Sequence, residues 1–126
     1  MKKVFLLACL VFVFSCKKES EETFGQPNPT EVSQTPEQLG KSIFEGKGNC
    51  VACHKINEKL VGPSVQDIAK IYKAQNGDIV SFLKDDAKPL VDATQYEVMK
   101  TNFALTKAMS DQELKGLEAY MYSSFK

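Results

Sequence analysis

The sequence predicts an all-α domain of about four to five short helices, and three observations carry that expectation. From Pro36 onward, apolar residues recur at helical spacing. Capping residues stand at the head of most of these stretches. No segment shows the sustained apolar–polar alternation of a strand. Thr35-Pro36-Glu37 reads as an N-cap, a first-turn proline and an acidic first turn. Leu39, Ile43 and Phe44 then share a face, and Gly46 and Gly48 end the helix. Ser64 caps a second helix with Val65, Ile68, Ala69 and Tyr72 turned inward, and Asn76-Gly77 stops it. Asp78 caps a third, with Ile79, Phe82 and Leu83 as its apolar side. Pro89 breaks the chain, and Thr94 to Lys100 forms a short helical turn bearing Tyr96 and Met99. The clearest helix is the last. Ser110-Asp111-Gln112-Glu113 is a capping box, followed by a stripe of Leu114, Leu117, Tyr120 and Met121.

The chain of 126 residues is long enough for one small domain, and its first third is of a different kind. Met1-Lys2-Lys3 is a basic start, and Val4 to Phe14 is an unbroken apolar run, too short to span a bilayer comfortably. Residues 1–15 therefore read as a cleaved signal peptide. An apolar run, then Ser15, then Cys16 resembles a bacterial lipobox, which implies cleavage before Cys16 and lipidation on it. The alternative is an ordinary signal peptide with Cys16 incidental. Residues 16–35 are rich in Glu, Ser, Thr, Gln, Pro and Asn and form a lipid-anchored flexible linker. Its coil reach is roughly 25 Å and its extended limit roughly 65 Å. Residues 36–126 are the folded domain.

Basic and acidic residues balance at 16 each, and every basic residue is a lysine. The two N-terminal lysines leave with the signal peptide, so the mature protein is slightly acidic. It has no electrostatic footprint for nucleic acid.

The chemistry concentrates in Cys50-Val51-Ala52-Cys53-His54. C-x-x-C-H is the attachment signature of a c-type haem. Two thiols three positions apart each add to one vinyl group, and the adjacent imidazole becomes the proximal iron ligand. His54 is the single histidine of the chain. Three rival readings fit these residues less well. Structural zinc wants four ligands, and Cys50, Cys53 and His54 supply three, because Cys9 and Cys16 lie in the export segment. A thiol–disulfide oxidoreductase places its C-x-x-C after a strand, whereas Gly46-Lys47-Gly48-Asn49 here follows a helical pattern. A plain disulfide is poorly served by cysteines three apart on a helix. One covalent haem c is the reading these residues favour, and its apolar surface would complete the core of so small a domain.

With these elements in order, Pro36 to Lys126 resembles a class I cytochrome c domain. The resemblance rests on Gly40 and Phe44 in the first helix, the C-x-x-C-H motif, Lys59-Leu60-Val61-Gly62-Pro63-Ser64 as a Gly-Pro loop, and a capped last helix carrying Tyr120. It implies that the first and last helices cross closely. It also implies that the Pro63 carbonyl accepts the other N–H of His54, fixing its tautomer and basicity. The sixth iron ligand is expected to be a methionine between the Gly-Pro loop and the last helix. Met99 is favoured because about ten residues then remain to wrap the haem edge. Met109, directly before the N-cap Ser110, is the runner-up. Asn102 is a candidate donor to the sulfur or to a propionate.

The function implied is single-electron transfer on one haem with His/Met ligation, without enzymatic catalysis and without a small-molecule substrate. The partners are a donor and an acceptor redox protein, together with the membrane through the N-terminal lipid. Two alternatives stand beside it. An open sixth position would make a gas sensor or weak peroxidase, although no second histidine is available as distal acid–base. A docked domain would be the electron inlet of a larger oxidoreductase. The expected location is the periplasmic face of a bacterial membrane. Lys17 after Cys16 points by resemblance to the outer membrane, and Lys18-Glu19-Ser20-Glu21-Glu22 fits a cell-surface tag equally well.

Overall fold

The computed structural model describes residues 34–125. The signal peptide, Cys16 and nearly all of the linker expected from the sequence lie outside them. Among the described residues there are six α-helices: α1 (Pro36–Glu45), α2 (Val65–Ala74), α3 (Ile79–Leu83), α4 (Tyr96–Lys100), α5 (Phe103–Thr106) and α6 (Asp111–Ser123). Two 3-10 turns, Cys50–Ala52 and Ala93–Gln95, complete them.

The caps stand where the sequence places them. Thr35 accepts from the Gln38 backbone N–H, while the Gln38 side chain accepts from the Thr35 backbone N–H. Ser64 and Asp78 cap α2 and α3, and Ser110 with Glu113 forms the box of α6. Each cap satisfies backbone donors that helices of thirteen residues or fewer can ill leave unpaired.

The first and last helices cross with almost no space between them. A Cβ added at Gly40 would lie 1.9 Å from the Gly116 carbonyl oxygen and 2.7 Å from Tyr120 Cβ. Backbone therefore meets backbone at this crossing. One turn along, the Phe44 and Tyr120 rings pack 5.3 Å apart and tilted by 59°. α6 also packs against α2 and α3. Phe44, Val65, Ile79, Leu114 and Leu117 are fully buried, each worth about 1.5–3 kcal/mol against exposure.

The short helix α5 is absent from the sequence pattern. It is four residues long and has no side-chain cap, so nothing local announces it. Tertiary contacts hold it instead. Phe103 is buried with its ring edge-on to Phe82 at 5.5 Å. The buried Thr106 hydroxyl donates to the Leu83 carbonyl at 2.6 Å.

Two carboxylates make the domain sensitive to acid. Hydrogen bonds from Thr94 and then Lys59 hold the Asp92 carboxyl at about 2, from an ordinary 3.8. Lys47 and then Ser110 hold Glu113 at about 2, from 4.5. Both are depressed on folding, so their stabilisation is complete above the ordinary carboxylate range and disappears as pH falls toward 2. The urea midpoint should be flat from about pH 7 to 5 and fall steadily below about pH 4.5. Glu113→Gln keeps the capping geometry and should make that fall shallower.

Candidate functional site

The C-x-x-C-H segment is shaped by the turn that precedes it. Asn49 takes a left-handed conformation (φ 52°), which asparagine tolerates better than most residues. The chain then tightens into the 3-10 turn. The backbone N–H groups of Cys53 and His54 both donate to the Cys50 carbonyl, at 3.1 and 2.9 Å. This curl turns Cys50, Cys53 and His54 toward one cleft. The two thiols are unbridged. Burial pushes the Cys50 thiol up to about 11, the reverse of the lowered value that activates a redox C-x-x-C.

The Gly-Pro loop is laced onto the motif by backbone bonds. Gly62 N–H donates to the Cys53 carbonyl (2.9 Å), Val65 N–H to Lys55 (2.9 Å) and Gln66 N–H to Ile56 (3.0 Å). His54 and Lys59 pair as an isolated antiparallel bridge. The loop thus lies flat against the imidazole. His54 Nδ1 sits 2.7 Å from the Pro63 carbonyl oxygen, to which the Nδ1–H tautomer donates. Gly62 covers the ring face so closely that a Cβ there would lie 2.4 Å from Cε1 and 2.9 Å from each nitrogen. Gly62→Ala should therefore displace the ring at a cost of about 1–3 kcal/mol. The expected readout is a lower fraction of protein matured with haem and a shifted Soret band in what remains.

The cleft encloses about 1090 Å³, its open mouth included. Its walls are apolar: Ile68 and Tyr72 from α2, Phe82 and Leu83 from α3, and Leu90 from the loop that follows. Burial pushes the Tyr72 phenol up to about 12, so it stays neutral. Met99, at the end of α4, lines the same cleft as His54. Met109 is not among the lining residues and packs against the core just before α6. Met121 also lines the cleft, from the core face of α6. The Asn102 amide donates to the Gly48 carbonyl at 3.1 Å and so ties the Met99 segment to the turn before Cys50.

These residues fit a covalently held haem. Both thiols and the imidazole open onto one apolar cleft, and glycine stands where any side chain would strike the ring. Among the described residues, no three His, Cys, Asp or Glu side chains are grouped to hold a bare metal ion as a zinc site requires.

A helical domain folded around such a cleft defines a small haem-attaching protein. The chain belongs to the cytochrome c family, whose model matches residues 37–124, and it carries the covalent c-type haem of that family. It is similar to a cytochrome c-551 of Pseudomonas denitrificans, 45% identical over 49 residues, covering 39% of this chain and 57% of that protein. It is also similar to a cytochrome c-552 of Nitrosomonas europaea, 43% identical over 42 residues, covering 33% of this chain and 40% of that protein. The chain spans about half the length of the curated relatives it matches.

Two contacts went unpredicted from the sequence, one at the helix crossing and one at the cleft. Gly116 is the partner of Gly40, and its signal was a glycine in the middle of an otherwise strong helix pattern. Asp92, which lines the cleft, accepts from Lys59 at 3.1 Å, and no local pattern marks that pair.

Proposed function

We propose that this domain is a single-electron carrier, exported and tethered to a membrane through a lipid on Cys16. The haem, when bound, supplies one-electron exchange between ferric and ferrous iron. The protein's own residues do the rest. Cys50 and Cys53 fix the group through thioethers. His54 would offer the iron its Nε2, and the Pro63 carbonyl holds its Nδ1–H, setting the tautomer and raising the basicity of that nitrogen. Met99, which lines the same cleft, would offer the iron its thioether, a soft sulfur that favours the reduced state. With both His54 and Met99 holding the iron, the domain would move electrons without a vacant site for a substrate. The apolar walls from α2 and α3 exclude water and keep reorganisation small. The linker from Cys16 to Thr35 allows the domain to swing between a donor and an acceptor redox protein.

The observation that carries this reading is the pairing of His54 Nδ1 with the Pro63 carbonyl at 2.7 Å, in a cleft that Met99 also lines. A potentiometric titration of the matured protein tests it. One reversible one-electron wave is expected, with carbon monoxide bound by the reduced form far more weakly than by Met99→Ala. Carbon monoxide affinity in the wild type equal to that of Met99→Ala would overturn the two-ligand assignment. For the tether, Cys16→Ala should move the protein from the membrane fraction to the soluble fraction.

A further inference from the structure

Asp85 stands outside the cleft, yet it holds the segment that bears Met99. It follows α3 with a left-handed backbone (φ 65°), a conformation uncommon outside glycine. That backbone presents both carboxylate oxygens to one stretch of chain. Oδ1 accepts from the Tyr96 hydroxyl at 2.9 Å, and Oδ2 accepts from the Lys107 ammonium at 2.8 Å. Tyr96 opens α4, three residues before Met99, and Lys107 directly follows α5. The carboxylate therefore grips both ends of the α4–α5 unit and pins it to the end of α3. The Tyr96 ring adds contacts with Phe82 and Phe103, at 6.2 and 6.1 Å. α4 itself has only five residues and no side-chain cap, too little to hold a fixed position unaided.

We propose that Asp85 is a positioning residue that latches the Met99 segment over the cleft and so controls how often the methionine sulfur leaves its axial place. This rests on Met99 being the ligand. The latch acts through Tyr96 and Lys107 and touches no reacting atom. Charge supports the geometry: Lys107 and the Tyr96 hydroxyl hold the Asp85 carboxyl below the usual carboxylate range, with Lys100 adding to the effect.

Imidazole binding to the oxidised, haem-loaded protein reads the latch, because an added ligand enters only when the sulfur is off. Its apparent affinity scales with the population of that open form. Asp85→Gly deletes the carboxylate while leaving the φ of 65° free of strain. About tenfold tighter imidazole binding is expected, with a weaker far-red thioether–iron band and unchanged helical content. Asp85→Asn keeps an acceptor for Tyr96 and a residue that tolerates the left-handed backbone. It should recover most of the wild-type behaviour. Tyr96→Phe, which keeps the ring packing, should give an intermediate gain of about threefold. Imidazole affinity at the wild-type value in Asp85→Gly overturns the proposal. Should that variant fail to fold, the same wild-type value in Tyr96→Phe overturns it. Failure of the underlying ligand assignment looks different: the far-red band then survives in Met99→Ala, whatever Asp85 does.

Discussion

Gly40→Ala should unfold or nearly unfold the domain, at a cost of about 3 kcal/mol or more. The added Cβ would lie 1.9 Å from the Gly116 carbonyl oxygen and 2.4 Å from its carbon. Both are backbone atoms at the helix crossing, so no side chain can rotate away. The helices must separate, and separation loosens the Phe44–Tyr120 pair and the seats of Leu114 and Leu117 beneath it. Alanine's better helix propensity returns only about 1 kcal/mol. For a small domain with a total stability of about 5–15 kcal/mol, the loss is a large fraction. The reciprocal change should be far milder. A Cβ at Gly116 meets its nearest atoms at 3.2 Å, so its neighbours need give only slightly. Its gain in helix propensity should then offset most of the crowding, leaving a net effect within about 1 kcal/mol. Urea unfolding of the two haem-loaded variants checks the order. Equal midpoints would show that the crossing is not as tight as its backbone contact implies.

The second large effect is chemical. Met99→Ala should abolish the far-red thioether–iron band of the oxidised protein and open the reduced protein to carbon monoxide. If the sulfur is off about 0.1% of the time in the wild type, freeing the position raises apparent carbon monoxide affinity about a thousandfold. The reduction potential should fall, since a soft thioether favours the ferrous state. Met109→Ala should leave both spectrum and carbon monoxide response unchanged, because Met109 does not line the cleft. Met121→Ala is expected to cost stability and spare the band, as Met121 is buried in the core cluster. A band that persists in Met99→Ala and vanishes in either other variant would move the sixth ligand there.

These two residues show how differently the sequence bears on fold and on site. Cap residues act on backbone groups within three positions, so Thr35, Ser64, Asp78 and Ser110 announce their helices directly. The same locality makes Cys50, Cys53 and His54 legible, since a haem spans two thiols on one tight turn and takes its imidazole from the next residue. Met99 is less so. Its rank over Met109 follows from chain length, and the shared cleft appears only when α4 is folded back.

The sequence by itself determined the helical class, the capped helix starts and the motif that holds the cofactor, because each is written in neighbouring residues. Tertiary structure alone decided α5, the meeting of Gly40 with Gly116, the Gly62 face against the imidazole, and the Asp85 grip on Tyr96 and Lys107. Each of these joins residues distant in the chain through close packing or a single hydrogen bond. Such contacts exist only once the core has fixed the elements in space, and they leave no periodic trace in the sequence.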